Sequence, residues 1–237
     1  MKPLSAAFLA IVSIAASAQT LQPAPLRAPQ TVQTMCRGPA VTTGPDYDKV
    51  QRIVTRLANG TKDDQRHQVF FVLANNPEIN AWTVNVQDLN HSVVCVPTSI
   101  VEFMGEGDGE LAFVIAHEAG HAIDDVCKTP EGRTAVARQR GSLGALIGEI
   151  AGGEKGAYQG STLSQQRGCE ERADELGFRM FVRAGYNPYD AAGAFGRLEM
   201  YLGDTSTGVF ARFANLASSH PITPDRIRHM RMLLISR

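Results

Sequence analysis

Residues 110–121 read ELAFVIAHEAGH, and the fold prediction starts from this stretch. Its apolar first half predicts a buried helix from Glu110 to about Val126. His117 and His121 are four positions apart, so both imidazoles project from one face of that helix. Two imidazoles placed in this way can bind one Zn²⁺, and Glu118 between them is suited to take a proton from water.

The alternative for this motif is a pair of surface histidines on a polar helix face. HExxH is short enough to arise by chance, so its sequence context must support it. The preceding turn, LAFVIA, indicates a buried helix, and buried imidazoles are costly unless a partner satisfies them. The context therefore favours a metal site.

A catalytic zinc needs a third protein ligand and an open position. One HExxH class takes that ligand from just beyond the motif, but Asp124 and Cys127 stand at the two key positions and disfavour it. A glutamate from a separate helix is the other option. Glu170 and Asp174 share a helix face, with Glu170 as the candidate ligand and Asp174 as acceptor for a histidine N–H. The alternative is a solvated charged face, to which the neighbouring Glu171, Arg172 and Glu175 are assigned.

The first segment predicts export. Met1-Lys2 precedes an apolar run from Leu4 to Ala16, and small residues at positions 16 and 18 suit cleavage after Ala18. An N-terminal membrane anchor is the alternative, but the run is short for a bilayer. Residues 1–18 are therefore predicted to be a signal peptide, and residues 19–45 a Pro-rich, extended lead-in.

Composition limits the classes of partner. The net charge is −1, with 23 basic and 24 acidic residues, which argues against nucleic acid or an anionic membrane as the main partner. No later run reaches the length of a membrane span, so no integral membrane anchor is expected after cleavage. The predicted location is periplasmic or secreted.

Four cysteines would enter an oxidising compartment, where disulfides persist. Three pairings of Cys36, Cys95, Cys127 and Cys169 are possible, and buried thiols are a further alternative. The pairing Cys36–Cys95 with Cys127–Cys169 is preferred, because its second bridge would tie the end of the HExxH helix to the start of the Glu170 helix.

Periodicity predicts an α+β fold in which a small β-sheet lies beside the HExxH helix and the remainder is mainly helical. Residues 128–168 form a Gly-rich insertion that is a candidate lid. Predicted strands cover residues 68–73, 81–86 and 91–96. Other predicted helices cover residues 46–57, 99–104, 165–183, 188–202 and 224–235.

The chain resembles the gluzincin family that contains the CAAX prenyl proteases, the HtpX-type membrane endopeptidases and the BepA-type periplasmic protease-chaperones. The matching pieces are DYDKVQRIVTRL (46–57), Asn80-Ala81-Trp82, ELAFVIAHEAGH (110–121), EERADELG (170–177), AGYNP (184–188) and SSHPITPDRI (218–227). The resemblance implies a single zincin-like metalloprotease domain over residues 46–237, with one Zn²⁺ per chain. It implies His117, His121 and Glu170 as zinc ligands and Glu118 as general base.

Further residues are assigned on the same resemblance. His220, in an HP motif, is expected beside the metal, as an oxyanion donor or as a fourth ligand that keeps the enzyme latent. From its position on the predicted last helix, and not from the resemblance, Arg226 is expected to reach an acidic partner. Asn80, Ala81 and Trp82 precede or begin the strand to which an extended polypeptide substrate would add, although Trp82 suits the core equally well.

The predicted function is zinc-dependent endopeptidase activity on exported proteins, including misfolded envelope proteins. The absence of predicted transmembrane helices argues against processing of prenylated proteins, which the membrane-embedded relatives perform. The alternative function is that of a latent protease acting mainly as a holdase for unfolded envelope proteins. A closed structural zinc site is less suitable, since such sites usually combine Cys and His.

Overall fold

The computed structural model describes residues 21–23, 35–59, 68–86, 91–139, 165–203 and 220–236. The predicted signal peptide and residues 140–164 of the predicted lid lie outside the described residues. Among the helices of the described part, none is long and apolar enough to cross a membrane.

A four-stranded sheet forms one layer of the domain. It consists of β1 (Leu21–Pro23), β2 (Gln68–Ala74), β3 (Trp82–Val86) and β4 (His91–Pro97), in the order β1-β2-β4-β3. β2 and β4 run parallel, whereas β3 and β4 pair antiparallel with Trp82 opposite Cys95. β3 is therefore an edge strand of the described sheet, and its antiparallel pairing with β4 agrees with the predicted hairpin.

One strand was not predicted. Leu21–Pro23 belongs to the Pro-rich lead-in, yet it pairs in parallel with β2. Three residues are too few for a period-two pattern, and the pairing uses backbone groups that every sequence offers. A strand of this length leaves no pattern in the sequence.

Eight helices of the described residues pack on and around this sheet, which confirms the α+β class. They are α1 (Pro45–Asn59), α2 (Thr98–Phe103), α3 (Asp108–Ile123), α4 (Asp125–Lys128), α5 (Pro130–Gln139), α6 (165–183), α7 (Pro188–Gly203) and α8 (Pro224–Ile235).

The HExxH helix α3 ends earlier than predicted. The sequence predicts a helix to about Val126, but Asp124 leaves helical geometry at φ −80° and ψ 89°. Its carboxylate accepts a hydrogen bond from the backbone N–H of Val126, which starts α4. Asp is a favoured N-cap residue for this reason, and the predicted single helix is divided in two.

α3 lies at the centre of the core. Its buried side chains include Leu111, Phe113 and Ile115, and α1 adds the buried stripe Val50, Ile53, Val54 and Leu57. Burial around most of its circumference explains the apolar turn before the HExxH motif. The histidines thus project from a helix that its packing holds in place.

Two glycines allow α3 and α6 to cross closely. A Cβ on Gly120 would lie 2.5 Å from the carbonyl oxygen of Ala173, and a Cβ on Gly177 would lie 2.7 Å from that of Ala116. Real side chains do not tolerate such distances. Glycine at these positions therefore permits the helix crossing, which brings Glu170 towards the histidines.

The later helices begin and end at the residues that the sequence signals predict. Gly185 has a φ of +77° and ends the helix before it, as a C-cap glycine does. The side chain of Asn187 accepts a hydrogen bond from the N–H of Tyr189 at 3.2 Å, at the start of α7. The side chain of Thr223 caps α8, which begins at Pro224.

Both predicted disulfides are present. Cys36 is bonded to Cys95, and Cys127 to Cys169. The second bridge connects α4, which follows the HExxH helix, to α6 one residue before Glu170. Two disulfides suit an oxidising compartment.

Candidate metal centre

Four side chains from three parts of the chain meet in the described structure. His117 and His121 come from α3, Glu170 from α6, and His220 from the segment before α8. One ligand atom from each lies within 4.8 Å of the others. These are the three residues predicted as metal ligands together with the histidine predicted to lie nearby.

The glutamate lies between the histidines. Its Oε1 atom is 3.1 Å from Nε2 of His121, and its Oε2 atom is 3.4 Å from Nε2 of His117. Nδ1 of His220 lies 3.1 Å from the same Oε2 atom. The candidate ligand atoms of all four residues therefore converge on one small volume.

The residues fit a zinc ion. Nitrogen atoms of imidazoles and a carboxylate oxygen are ligands that zinc takes in catalytic sites. The buried Nε2 atom of His121 makes no hydrogen bond among the described residues, despite the nearby carboxylate. A buried polar atom without a hydrogen bond costs free energy, and a bound cation would satisfy this one.

Asp174 supports the group from behind. Its Oδ1 atom lies 2.8 Å from Nδ1 of His117, and Asp174 is fully buried. This contact turns the Nε2 atom of His117 towards Glu170, as the sequence predicts for an outer acceptor. Burial disfavours protonation of His117, but the close contacts with Asp174 and Glu170 outweigh it and raise the pKa of His117 above its ordinary value.

Arg226 is the cationic partner of both Asp174 and Glu170. Its Nε and Nη2 atoms donate to the two carboxylate oxygens of Asp174 at 2.8 and 2.7 Å, and Nη1 lies 2.9 Å from Oε2 of Glu170. The side chain also stacks on the ring of Phe195, 5.1 Å from its centroid. Arg226 was expected to reach an acidic partner, and it contacts both Asp174 and Glu170.

The two carboxylates are held as anions. Burial disfavours the charged form of Glu170, but close contacts with His117, His121 and His220 outweigh it and hold its pKa well below the ordinary value. Burial has the same effect on Asp174, but the charge and hydrogen bonds of Arg226 outweigh it and lower the pKa of Asp174. An anionic carboxylate is the form that binds a cation.

Glu118 lies at the edge of the group with its carboxylate between a strand and His220. The hydroxyl of Thr83, on β3, is 2.9 Å from Oε2 of Glu118 and 2.7 Å from its backbone carbonyl oxygen. Nε2 of His220 lies 3.4 Å from Oε1. Nothing in the sequence marks Thr83, because only the proximity of β3 to α3 gives its hydroxyl a role.

Two cavities adjoin Glu118 and His220. The apolar cavity, of about 40 Å³, is lined by these two residues together with Ala81, Ile100, Phe113, Val114, His117, Ala194, Phe195, Leu198, Ile222 and Arg226. The polar cavity, of about 340 Å³, is lined by the same two together with Trp82, Thr83, Asn85, His121, Cys127, Lys128, Arg133, Gln166, Cys169 and Glu170. The carboxylate of the candidate general base is thus accessible from two chemically different spaces.

The three predicted substrate-binding residues lie in different surroundings. Ala81 lines the apolar cavity and Trp82 the polar one, whereas Asn80 is buried and lines neither of them. Trp82 also packs on the apolar cluster around the Cys36–Cys95 bridge, so it is both cavity wall and core. The described start of the predicted lid contributes Lys128 and Arg133 to the polar cavity, a role that the sequence analysis did not assign.

Comparison with known families agrees with this geometry. Residues 46–234 match Peptidase family M48, and the match covers β2, β3 and β4, the named helices except one terminal residue of α1 and one of α8, and the metal-site residues. This confirms the predicted resemblance to HExxH gluzincins. No individual curated protein matches the chain.

Proposed function

Because the chain belongs to Peptidase family M48, a zinc metallopeptidase family of the HExxH gluzincin type, we propose that it is a zinc-dependent endopeptidase of exported proteins. The observation that carries this proposal is the convergence of His117, His121 and Glu170, in a site where Glu118 lines the same cavity as His121 and Glu170. In this proposal the first three hold one Zn²⁺ per chain. Bound zinc would polarise the scissile carbonyl and acidify water.

The chain's own residues supply the proton transfers. Glu118 accepts a proton from the attacking water and passes it to the leaving amine. The hydroxyl of Thr83 and the imidazole of His220 lie against the two oxygens of this carboxylate and hold its orientation. Asp174 and Arg226 hold His117 and Glu170 from the opposite side.

An extended polypeptide is the proposed substrate. β3 is an edge strand of the described sheet and passes next to Glu118 through Thr83, so a peptide adding to this edge would cross the two cavities. Binding through a strand edge uses backbone groups along the peptide, which suits cleavage within a chain. The predicted signal peptide and the two disulfides support exported proteins, including misfolded envelope proteins, as the substrate class.

The proposal is tested on purified mature protein and on Glu118→Gln. We expect close to one zinc per chain in both proteins and hydrolysis of casein in the wild type only. Glu175→Gln, on the surface of α6, is the matched control and should retain full activity. Casein hydrolysis by Glu118→Gln at the wild-type rate would contradict the proposed role of Glu118.

A second candidate function follows from the position of His220. Its Nδ1 atom belongs to the same group of donors as the three proposed ligands, so the chain offers four ligands where a catalytic zinc uses three. A fourth protein ligand would close the site and leave a latent protease that acts mainly as a holdase for unfolded envelope proteins.

His220→Ala separates the two functions. If His220 closes the site, its removal raises proteolysis. If His220 donates to the oxyanion, its removal lowers kcat by about 10²–10³-fold, as for other oxyanion donors. Suppression of the aggregation of an unfolded protein, measured on the same variant, reports the holdase function independently of cleavage.

A further inference from the structure

We propose that Lys128 and Arg133 select substrates that carry an acidic side chain next to the scissile bond. This inference rests on the peptidase function proposed above and specifies which peptides the site prefers. The observation that supports it is the lining of the polar cavity. Two cationic side chains line this cavity together with the candidate metal ligands His121 and Glu170.

The polar cavity has room for a substrate side chain. It holds about 340 Å³ and is lined by Trp82 and Thr83 on the β3 side and by Lys128 and Arg133 on the α4–α5 side. Cavities of roughly 300 Å³ and more accommodate ligands in proteins. A peptide lying along β3 next to Glu118 would project a side chain between the strand and the two cations.

The negative charges of the cavity are already compensated. Glu170 contacts Arg226 at 2.9 Å, and in the proposed enzyme it also binds a divalent cation. Glu118 would face the same cation. Among the described residues that line the cavity, the charges of Lys128 and Arg133 therefore remain as the excess.

Neither cation is neutralised by its described contact. Nζ of Lys128 lies 3.5 Å from a carboxylate oxygen of Asp125, whose side chain is 60% exposed, so solvent screens this pair. Nη1 of Arg133 donates to the carbonyl oxygen of Cys127 at 3.0 Å, and this acceptor carries no charge. Within the described part of the chain, neither side chain has a buried carboxylate partner, so both can pair with a carboxylate of a substrate.

The basic wall is anchored to the metal-ligand helix. Arg133 is bonded to the carbonyl of Cys127, and the Cys127–Cys169 disulfide joins that segment to α6 directly before Glu170. The two cations therefore sit in a defined position relative to the reacting groups. Fixed charges discriminate between ligands better than mobile ones, because less ordering is needed on binding.

The preference for an acidic side chain is expected on only one side of the scissile bond. The apolar cavity shares Glu118 and His220 with the polar one, but its remaining walls are mainly aliphatic and aromatic. Its cation, Arg226, is already paired with Asp174. An acidic side chain in that cavity would lose hydration without gaining a free partner, so the apolar side should take an apolar residue.

The test compares cleavage of fluorogenic peptides that differ only in Glu, Gln or Lys at each position flanking the scissile bond. For the wild type at low ionic strength, we expect kcat/KM to favour Glu over Gln by roughly tenfold at one flanking position, falling as salt is added. Lys128→Gln/Arg133→Gln should abolish the preference for the Glu peptide, so that the ratio of the two kcat/KM values falls to about one. Lys128→Glu/Arg133→Glu should favour the Lys peptide. Lys128→Gln alone and Arg133→Gln alone should each lose part of the preference for the Glu peptide.

Arg179→Glu and Arg228→Glu are matched controls, since both arginines are exposed on helices and lie outside the polar cavity. Combined in one double variant, they change the net charge of the protein by the same amount as Lys128→Glu/Arg133→Glu and should leave the peptide ratio unchanged. The proposal is overturned if the wild type and the charge-reversed double variant share one ratio. It is also overturned if the surface controls shift that ratio as strongly.

Binding separates this inference from the proposed function. The same peptides are titrated against Glu118→Gln by fluorescence anisotropy, which needs no cleavage. A wild type that cleaves none of the peptides would contradict the peptidase function, whereas roughly tenfold tighter binding of the Glu peptide would still support selection by Lys128 and Arg133. Equal Kd values for the Glu and Gln peptides would overturn the selection.

Discussion

Oδ1 of Asp174 lies 2.8 Å from Nδ1 of His117, so a fully buried carboxylate supports the first histidine of the HExxH motif. The contact joins the two helices of the candidate metal centre through side chains. It also explains why His117 can direct Nε2 at Glu170, since one ring nitrogen is already engaged. The following predictions test how α3, α6 and α8 hold this arrangement.

Replacing Asp174 with Asn should weaken zinc binding by about 10- to 100-fold, because the acceptor that orients His117 loses its charge. The affinity is measured by competition with a chromogenic chelator, at a temperature where the variant is folded by circular dichroism. Glu175→Gln, one residue along the same helix, should leave the affinity unchanged. An unchanged zinc Kd in Asp174→Asn would show that the 2.8 Å contact does not tune the metal site.

Gly120→Ala should destabilise the protein by about 2 kcal/mol or more, because the added methyl group collides with the backbone of α6 and forces the helices apart. Gly196→Ala is the control, since a Cβ at this helical position meets nothing within 4 Å. It should be neutral or stabilise the protein by up to about 1 kcal/mol. Urea denaturation measures both. Equal stabilities for the two variants would argue against the close crossing of α3 and α6.

Arg226→Met should destabilise the protein by about 3–5 kcal/mol, because it leaves the buried carboxylate of Asp174 without its cationic partner. Arg228→Met, two positions along α8, removes an exposed arginine and should change stability little. Thermal unfolding of the two variants is compared. Part of the stability should return in Arg226→Met/Asp174→Asn, where the uncompensated charge is also removed, and its failure to return would contradict the ion-pair explanation.

The two disulfides should differ in their effect on the metal site. Cys127→Ser/Cys169→Ser removes a bridge next to Glu170 and should lower zinc affinity as well as stability. Cys36→Ser/Cys95→Ser opens a bridge between the lead-in and β4, so it should lower stability alone. Each loss of stability should be about 3–4 kcal/mol by the chain-entropy estimate. Equal zinc affinities in the two folded variants would contradict a positioning role for Cys127–Cys169.

Local patterns in the sequence determined the elements that carry the site. The i,i+4 spacing of His117 and His121 and the apolar turn before them depend only on the period of an α-helix, so both were predictable. The ends marked by Gly185 and Pro224 follow from backbone geometry in the same way. The helix face that Glu170 shares with Asp174 indicated Glu170 as a ligand, and the family resemblance added His220; the roles of both residues remain predictions.

Tertiary structure alone decided which distant groups meet. Thr83 and Glu118 are brought together because β3 lies against α3, and no periodicity in either segment records that contact. The pairing of Arg226 with Asp174 likewise depends on where α8 crosses α6. Helix and strand signals are local, whereas convergence of side chains depends on how closely elements pack, and here Gly120 and Gly177 set that distance.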